Sequence, residues 1–222
     1  MCAVQGLQYV ENIVTAAEAR DLIRYIDSQS WSTALSRRVQ EYGRTYHTGR
    51  DAGSMAAPIP TAFSALCARL VEQKLMERAP EQVIVNEYEP GQGIAAHVDH
   101  TGLFGGCIVT VSLLSAVVMD LRRLRSRVVA AGTAAAAVAS AGGGGADDNN
   151  AAANDSGAGN ADVAIVLRSN SALALSGEAR YEWTHAIARR KKDSIGGSVQ
   201  SRSRRVSVTF RVMHTTASSN EK

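Results

Sequence analysis

Residues 204–212 read RRVSVTFRV, and this stretch decides what kind of fold the chain can form. Val206, Val208 and Phe210 alternate with polar residues, which predicts a β-strand with one apolar and one polar face. Similar short, β-branched runs recur from Val83 onward: VIVNEY, IVTVSLL, VVMDL, VAIVL and ALALS. Six or more such strands, joined by Gly-rich or polar connections, predict a β-sandwich or barrel. The polar face of the last strand indicates that the strands enclose a lined cavity.

Two helices are predicted before these strands. Residues 15–18 read TAAE, the pattern of a capping box, and apolar residues follow at helical spacing, which predicts a helix over about 16–28. A second helix is predicted after Pro60, where Phe63, Leu66 and Leu70 recur at intervals of three and four residues. Both helices are expected to pack against the sheet, which makes the fold mainly β with flanking N-terminal helices.

The size and composition of the chain predict one folded domain over residues 1–222. Hydrophobic residues make up 45% and charged residues 20%, which is ordinary globular usage and argues against a fibrous or wholly disordered protein. The first residues lack a basic segment followed by a long apolar run, so we expect neither a secretory signal nor a membrane span. Three widely spaced cysteines argue against a disulfide framework. We therefore expect a monomer in a reducing compartment, cytoplasmic or nuclear.

One long segment, residues 125–162, has a different composition, dominated by Ala, Gly, Asn, Asp and Ser. It has too few large apolar side chains to offset the entropy that ordering it would cost. We therefore predict a low-complexity, disordered insertion that projects from a surface of the single domain, between two strands.

Three residues have the chemistry of a metal site. His97 and Asp99 stand at positions i and i+2, and such residues project from the same face of an extended segment. His185, in YEWTHAI, offers a third ligand. Two imidazoles and one carboxylate form the facial triad that binds non-haem iron and leaves coordination positions open. Because HxD by itself is common, a hydrogen-bonded histidine near a turn stays open as the alternative.

Two arginines meet a second requirement of an iron site that uses 2-oxoglutarate as its cosubstrate, and this requirement is independent of the metal ligands. The cosubstrate 2-oxoglutarate is a dianion, and a buried carboxylate needs a permanently charged partner. Arg205 and Arg211 are separated by an even number of residues, so both lie on one face of the last strand, where a guanidinium can pair with a carboxylate. Asn86 and Tyr88 share a face of the strand before HxD in the same way. Solvated arginines on an exposed strand face are the alternative.

Four segments together resemble the AlkB family of iron- and 2-oxoglutarate-dependent dioxygenases: NEYEPGQGIAAHVDH, FGGCIVTVSLLSAVVMDL, LSGEARYEWTHAI and RRVSVTFR. They follow one another in the order of the family and cover nearly everything from Val83 to Arg211 except residues 125–162, and RRVQEYGRTY is also similar. Within the family the resemblance is strongest to the tRNA-modifying AlkB homologue 8 and to small bacterial AlkB-like proteins. It implies a double-stranded β-helix, or jelly roll, flanked by helices.

The resemblance also implies a role for each matching residue. The implied Fe(II) ligands are His97, Asp99 and His185. Arg205 and Tyr88 would bind the distal carboxylate of 2-oxoglutarate, and Asn86 and Arg211 would serve the end nearest the metal. With dioxygen, this site hydroxylates a C–H bond, and hydroxylation of a carbon attached to nitrogen results in demethylation.

The chain also departs from the tRNA-modifying homologue. There an RNA-recognition domain precedes the oxygenase and a methyltransferase follows it, and this chain has room for neither. Its last residues, VMHTTASSNEK, lack the cysteine cluster that looks like a zinc site in that homologue. If the substrate is tRNA, we therefore expect either that separate proteins, such as a methyltransferase partner, supply those parts or that recognition differs.

Other residues are candidates for substrate contacts. The net charge is only +3, but basic residues are concentrated near the C-terminus. The candidates for phosphate contacts are Arg189, Arg190, Lys191 and Lys192. A nuclear address or a solvated surface loop is the alternative for these four. Tyr42 and Tyr46 are candidates for stacking on a base at the substrate mouth, with packing in the core as the alternative.

Three classes of function stay open at this point. The first is a nucleic-acid oxygenase, which either hydroxylates a tRNA wobble uridine side chain or repairs N-alkylated bases. The second is a protein demethylase or hydroxylase, and the third is a non-catalytic binding module. The complete ligand set disfavours the third, and the basic residues favour nucleic acid. A single-stranded target or an anticodon loop is preferred, because bases inside a duplex are shielded.

Overall fold

Two facing β-sheets form the body of the protein in the computed structural model, which describes residues 4–44, 56–124 and 163–214. The strands are β1 (Leu7–Val10), β2 (Val39–Gly43), β3 (Gln82–Tyr88), β4 (Ile94–His97), β5 (Phe104–Leu114), β6 (Val117–Arg123), β7 (Val163–Leu167), β8 (Ser171–Ser176), β9 (Trp183–Ile187), β10 (Lys192–Ile195), β11 (Ser198–Ser201) and β12 (Arg205–Met213). The major sheet has the strand order β1-β8-β5-β12-β3-β2, and the minor sheet has the order β4-β9-β6-β7. Strands β10 and β11 form a separate hairpin. Two facing antiparallel sheets are the arrangement of a jelly roll.

The N-terminal helices pack on the outer face of the major sheet. They are α1 (Ala16–Ser28) and a 3-10 turn (Thr61–Phe63) that leads into α2 (Ser64–Glu72). The short α3 (Gly177–Tyr181) lies elsewhere: it connects β8 to β9, and its Ala179 packs with Leu173 and Trp183 in the apolar cluster between the two sheets. The predicted capping box is confirmed, because the Thr15 hydroxyl accepts from the Glu18 amide at 3.2 Å and the Glu18 carboxylate accepts from the Thr15 amide at 2.8 Å. Arg69 on α2 also donates to the Glu18 carboxylate, at 2.6 Å, so the cap of α1 is tied to α2.

The last strand separates the core from the space between the sheets. Val206, Val208 and Phe210 are fully buried in the cluster of apolar side chains between the major sheet and the helices. The polar residues between them point away from this cluster, toward the minor sheet. The predicted alternation is therefore confirmed, and it gives the space between the sheets a polar wall.

The minor sheet continues on both sides of residues 125–162. β6 and β7 are antiparallel neighbours, with Leu121 opposite Val163, so the chain leaves and re-enters the sheet at adjacent points. The predicted insertion itself lies outside the described residues. Within the described ranges, no helix has the length and apolar composition needed to cross a bilayer.

Candidate active site

A cavity of about 380 Å³ lies between the two sheets. One wall is the polar face of β12 together with the neighbouring strand β3, in a register that sets Arg205 opposite Tyr88 and Arg211 opposite Gln82. The residues of these two strands that line it are Gln82, Ile84, Asn86, Tyr88, Arg205, Ser207, Thr209 and Arg211. The opposite wall comes from the minor sheet and includes His97 and His185.

The three candidate metal ligands converge in this cavity. Ligand atoms of His97, Asp99 and His185 all lie within 4.8 Å of one another. Nε2 of His97 is 3.5 Å from Oδ1 of Asp99, and the centroids of the two imidazole rings are 4.3 Å apart. The two histidines stand opposite each other on β4 and β9, and Asp99 follows directly after β4. The three donors therefore surround one point.

An irregularity in β4 aims His97 into the cavity. Ile94 pairs with Ile187 and His97 pairs with His185, so β4 has one more residue than β9 between the two pairs. Such a bulge lets two positions three residues apart point to the same side, and both Ile94 and His97 line the cavity. The strand begins where Gly93 meets β9 closely: a Cβ there would lie 2.1 Å from the Ile187 carbonyl oxygen, so only glycine fits.

The histidines are in a state that suits metal binding. Nδ1 of His97 lies 2.8 Å from the carbonyl oxygen of Ala95, which can only accept, so the proton belongs on Nδ1 and Nε2 keeps its lone pair. Burial, and after it the neighbouring His97, lower the pKa of His185 from 6.5 to about 4. His185 is therefore neutral at physiological pH and can offer an imidazole nitrogen, as can Nε2 of His97. With one carboxylate, this donor set suits Fe(II).

Arg211 is bound to the carboxylate of the triad. Its Nη2 lies 3.2 Å from both Asp99 carboxylate oxygens, its Nη1 donates to Gln82 at 3.1 Å, and its guanidinium stacks over Phe104 at 4.5 Å. Burial opposes ionisation of Asp99, but Arg211 and the two histidines outweigh it and hold the pKa of Asp99 well below its usual value. In this structure the direct partner of Arg211 is therefore Asp99.

Arg205 is a buried cation that has no anionic partner within residues 4–44, 56–124 and 163–214. It is 4% exposed, donates to the Ser112 hydroxyl at 2.8 Å, and lies over the Tyr88 ring at 5.4 Å. Its Nε has no hydrogen-bond partner. Burial lowers the pKa of Arg205 to about 10, so the guanidinium is still charged at neutral pH. A buried charge of this kind needs a counter-ion, which the carboxylate of a bound ligand would supply.

The structure adds two residues and corrects one. Arg37 and Glu41 line the cavity, and Nε of Arg37 donates to Oδ1 of Asn86 at 2.9 Å. Tyr42 is 7% exposed, packs against Phe63 and donates to Gln40, so its predicted place at the substrate mouth is wrong. Side chains alternate along β2, so Glu41 faces the cavity and Tyr42 faces the core. The other tyrosine of this stretch, Tyr46, lies outside the described residues.

The basic residues near the C-terminus lie outside the cavity. The four exposed candidates, none of which is among the lining residues, are Arg189, Arg190, Lys191 and Lys192. They lead into the β10–β11 hairpin, which Asp193 anchors by accepting from Arg202 at 2.6 Å and from the Val118 amide at 3.2 Å. Arg190 also donates to Asp193 at 2.6 Å. The positive charge of Arg190 is thus partly neutralised by Asp193 within the hairpin.

Comparison with known proteins places the chain in a family. The family described as "2OG-Fe(II) oxygenase superfamily" matches residues 26–211, and the chain belongs to it. It is therefore an iron- and 2-oxoglutarate-dependent dioxygenase, and its cofactors are Fe(II), 2-oxoglutarate and dioxygen. Its relatives include AlkB homologues, as the sequence resemblance implied.

The relatives differ in length and in name. The chain is 28% identical to the mouse "tRNA (carboxymethyluridine(34)-5-O)-methyltransferase ALKBH8" over 88% of this chain and 26% of that protein. It is 31% identical to the Arabidopsis thaliana "Alkylated DNA repair protein ALKBH8 homolog" over 94% of this chain and 58% of that protein. It is 28% identical to the mouse "Alpha-ketoglutarate-dependent dioxygenase alkB homolog 4", over 93% and 67% respectively. The chain thus spans about a quarter of the first of these relatives.

A solved structure supports the fold. "The structure of OsALKBH1" superimposes with a TM-score of 0.57 over 93% of this chain and 97% of that chain, at 15% sequence identity. The predicted jelly roll with flanking helices is confirmed.

Proposed function

We propose that His97, Asp99 and His185 bind Fe(II), that Arg205 binds 2-oxoglutarate, and that the whole chain is one dioxygenase domain acting on nucleic acid. The observation that carries the cosubstrate site is the buried Arg205 guanidinium, which lines the same cavity as the triad and has an unpartnered Nε. When bound, Fe(II) with 2-oxoglutarate and dioxygen supplies the oxidant that hydroxylates a C–H bond.

The side chains of the cavity divide the remaining tasks. Arg205 and the Tyr88 ring hold the distal carboxylate, and the Ser112 hydroxyl fixes the guanidinium. Arg211 orients the Asp99 carboxylate, and Asn86, which accepts from Arg37, adjoins the end nearest the metal. The apolar residues of the minor sheet, such as Met119 and Ile187, shield the cosubstrate from water.

The preferred substrate is a tRNA wobble uridine side chain. The name of the mouse relative concerns carboxymethyluridine at tRNA position 34, which supports this choice. An anticodon loop exposes its bases, so no duplex has to be opened to reach the cavity. Two exposed cations at the start of the hairpin, Lys191 and Lys192, are suited to phosphate contacts. With a tRNA substrate we propose a cytoplasmic or nuclear location and a separate methyltransferase partner. We also propose that the enzyme is a monomer.

Other substrates have specific support as well. The Arabidopsis thaliana relative is named as an alkylated DNA repair protein, which favours demethylation of N-alkylated bases as the second candidate. A protein demethylase or hydroxylase is the third.

The experiment is a substrate-dependent turnover assay. The purified protein is incubated with Fe(II), 2-oxoglutarate and dioxygen plus total tRNA, other RNA, alkylated single-stranded DNA or methylated peptides, and succinate and modified nucleosides are measured by mass spectrometry. We expect tRNA to stimulate succinate release and to gain 16 mass units at a wobble uridine, one oxygen atom being about that mass. The control is the His97→Ala, Asp99→Ala double variant, for which we expect neither product. Turnover by that variant would contradict the proposed metal site, and stimulation by peptides alone would contradict the substrate.

A further inference from the structure

Arg180 is a buried cation beside the metal site that the chemistry above does not use. It is 2% exposed and is the largest of the fully buried side chains among the described residues. It lies on α3, five residues before His185. An apolar side chain could fill the same space without the cost of desolvating a charge, so what Arg180 adds must come from its hydrogen bonds.

All its hydrogen bonds go to one loop. Nη1 donates to the carbonyl oxygen of Asp99 at 2.8 Å, and Nη2 donates to the carbonyl oxygens of His100 at 3.2 Å and Phe104 at 3.5 Å. Residues 99–104 connect β4 to β5 and include the only carboxylate of the triad. One planar guanidinium therefore holds both ends of the loop that carries a metal ligand.

The same two ends hold Arg211. The Asp99 carboxylate accepts from Arg211, and the Phe104 ring lies against the Arg211 guanidinium. When the main chain at residues 99 and 104 is fixed, the positions of that carboxylate and that ring are fixed as well. Because α3 leads into β9, Arg180 also links this loop to the strand that carries His185.

We propose that Arg180 is a positioning residue for the metal site: it holds residues 99–104 in the shape that aims the Asp99 carboxylate at the two imidazoles before any metal binds. This inference rests on the proposed ligand set of His97, Asp99 and His185. Groups that hydrogen-bond to a metal-binding residue and orient it contribute to metal affinity without touching the metal.

The test is a titration of the metal-free protein with Co(II) alone, a spectroscopic substitute for Fe(II). Removing such an orienting contact weakens metal binding by about 10-fold to 100-fold. We expect that loss, and a changed visible absorption spectrum of the Co(II) complex, in both Arg180→Lys and Arg180→Met. Lys should not rescue, because an ammonium group lacks the planar fork that reaches three carbonyls.

The matched control is Arg123→Lys. Arg123 lies on β6 and pairs with Glu178 and Glu182, on either side of Arg180, at 3.4 and 2.8 Å. We expect its Co(II) affinity and spectrum to match those of the parent. A folded Arg180→Lys protein with the parental Co(II) Kd and spectrum would overturn the proposal. A parent protein that binds no Co(II) would instead contradict the ligand set itself.

Hydrogen–deuterium exchange on the parent protein gives a second test that needs no variant. If Arg180 holds the loop in advance, peptides covering residues 99–104 are protected in the metal-free protein and change little when Co(II) is added. Exchange at the rate of an open chain without metal, followed by protection on adding Co(II), would show that the metal orders the loop and would contradict the proposal.

Discussion

Two arginines of β12 that line the cavity, the buried Arg205 and the half-buried Arg211, differ in their partners. Arg211 is bound to the Asp99 carboxylate, whereas the partners of Arg205 among the described residues are the Ser112 hydroxyl and the Tyr88 ring. We expect Arg205→Lys to weaken 2-oxoglutarate binding by about ten- to a hundredfold, since a hydrogen bond to a charged group is worth about 1.5–3 kcal/mol. Calorimetric titration of the Mn(II)-loaded protein, which does not turn over, measures this Kd.

The neighbouring residue provides the control for this variant. Arg204 pairs with Glu87 at 2.7 Å and with Asp27, outside the cavity. Arg204→Lys makes the same chemical change one position away, and we expect its 2-oxoglutarate Kd to stay at the parental value. An unchanged Kd in Arg205→Lys would remove this residue from the cosubstrate site.

The sequence revealed single residues to the extent that alternation or a motif marked them. The triad and the two arginines were identified because HxD, a distant histidine and an even spacing on one strand can be recognised in the amino-acid sequence. Ser112 and Arg180 were not visible, since their roles depend on the register of β5 beside β12 and on a loop folding over a buried turn. Glu41 could have been found, because the alternation of β2 separates it from Tyr42.

The Glu18 carboxylate in the N-terminal cap of α1 connects α1 to α2. The hydrogen bond from Arg69 and then that from the Thr15 amide lower the pKa of Glu18 from 4.5 to about 2. Because this pKa is depressed on folding, the stabilisation is complete above pH 4.5 and is lost as the pH falls toward 2. We expect Glu18→Gln to lower the free energy of unfolding at pH 7 by about 1 kcal/mol or less, since the group is partly exposed and screened.

Urea unfolding at a series of pH values measures this effect. Glutamine can still close the capping box, so the variant isolates the ionic contact with Arg69. Thr15→Ala is the companion variant, which removes the hydroxyl acceptor and leaves the ion pair. A parent–variant difference that stays constant from pH 7 down to pH 2 would contradict the assigned role of the Glu18 charge.

Helices and strands were predictable where the residues of the segment itself favour that structure. All six runs identified in the sequence lie in strands, and the first helix begins and ends where its cap and spacing place it. Strands β1, β2, β4, β10 and β11 were not predicted. In the last three, IAAH, KDSI and SVQS lack β-branched runs and are extended only through their partners. The bulge in β4, on which the direction of His97 depends, has no signature in the sequence.

At the scale of the whole molecule, residues 125–162 are expected to be dispensable for the site. The chain enters and leaves this segment at neighbouring strands, since Leu121 pairs with Val163. Loop-closure entropy changes slowly with length, so replacing the segment with a short Gly/Ser linker should change the free energy of unfolding by less than about 1 kcal/mol. Urea unfolding and Co(II) titration measure the outcome, with a Gly/Ser linker of the original length as control. A shortened protein that unfolds would show that the segment is structural.

The charge distribution of the molecule predicts how nucleic acid binds. Among the four candidate cations, Arg190 pairs with the buried Asp193 and Arg189 also has a partner, so Lys191 and Lys192 are the better variants for testing phosphate contacts. Each phosphate contact to a single strand contributes about 0.7 to the slope of log affinity against log salt. We therefore expect the double variant Lys191→Gln, Lys192→Gln to bind tRNA with a slope that is less steep by about 1.4.

The control is the double variant Arg20→Gln, Lys74→Gln, which makes the same change in net charge at two other exposed positions and should keep the parental slope. Uncoupled 2-oxoglutarate turnover should be unchanged in both variants, because neither lysine lines the cavity. If the lysine variant binds and modifies tRNA like the parent at every salt concentration, this surface is not the nucleic-acid contact, and a protein substrate becomes the leading hypothesis.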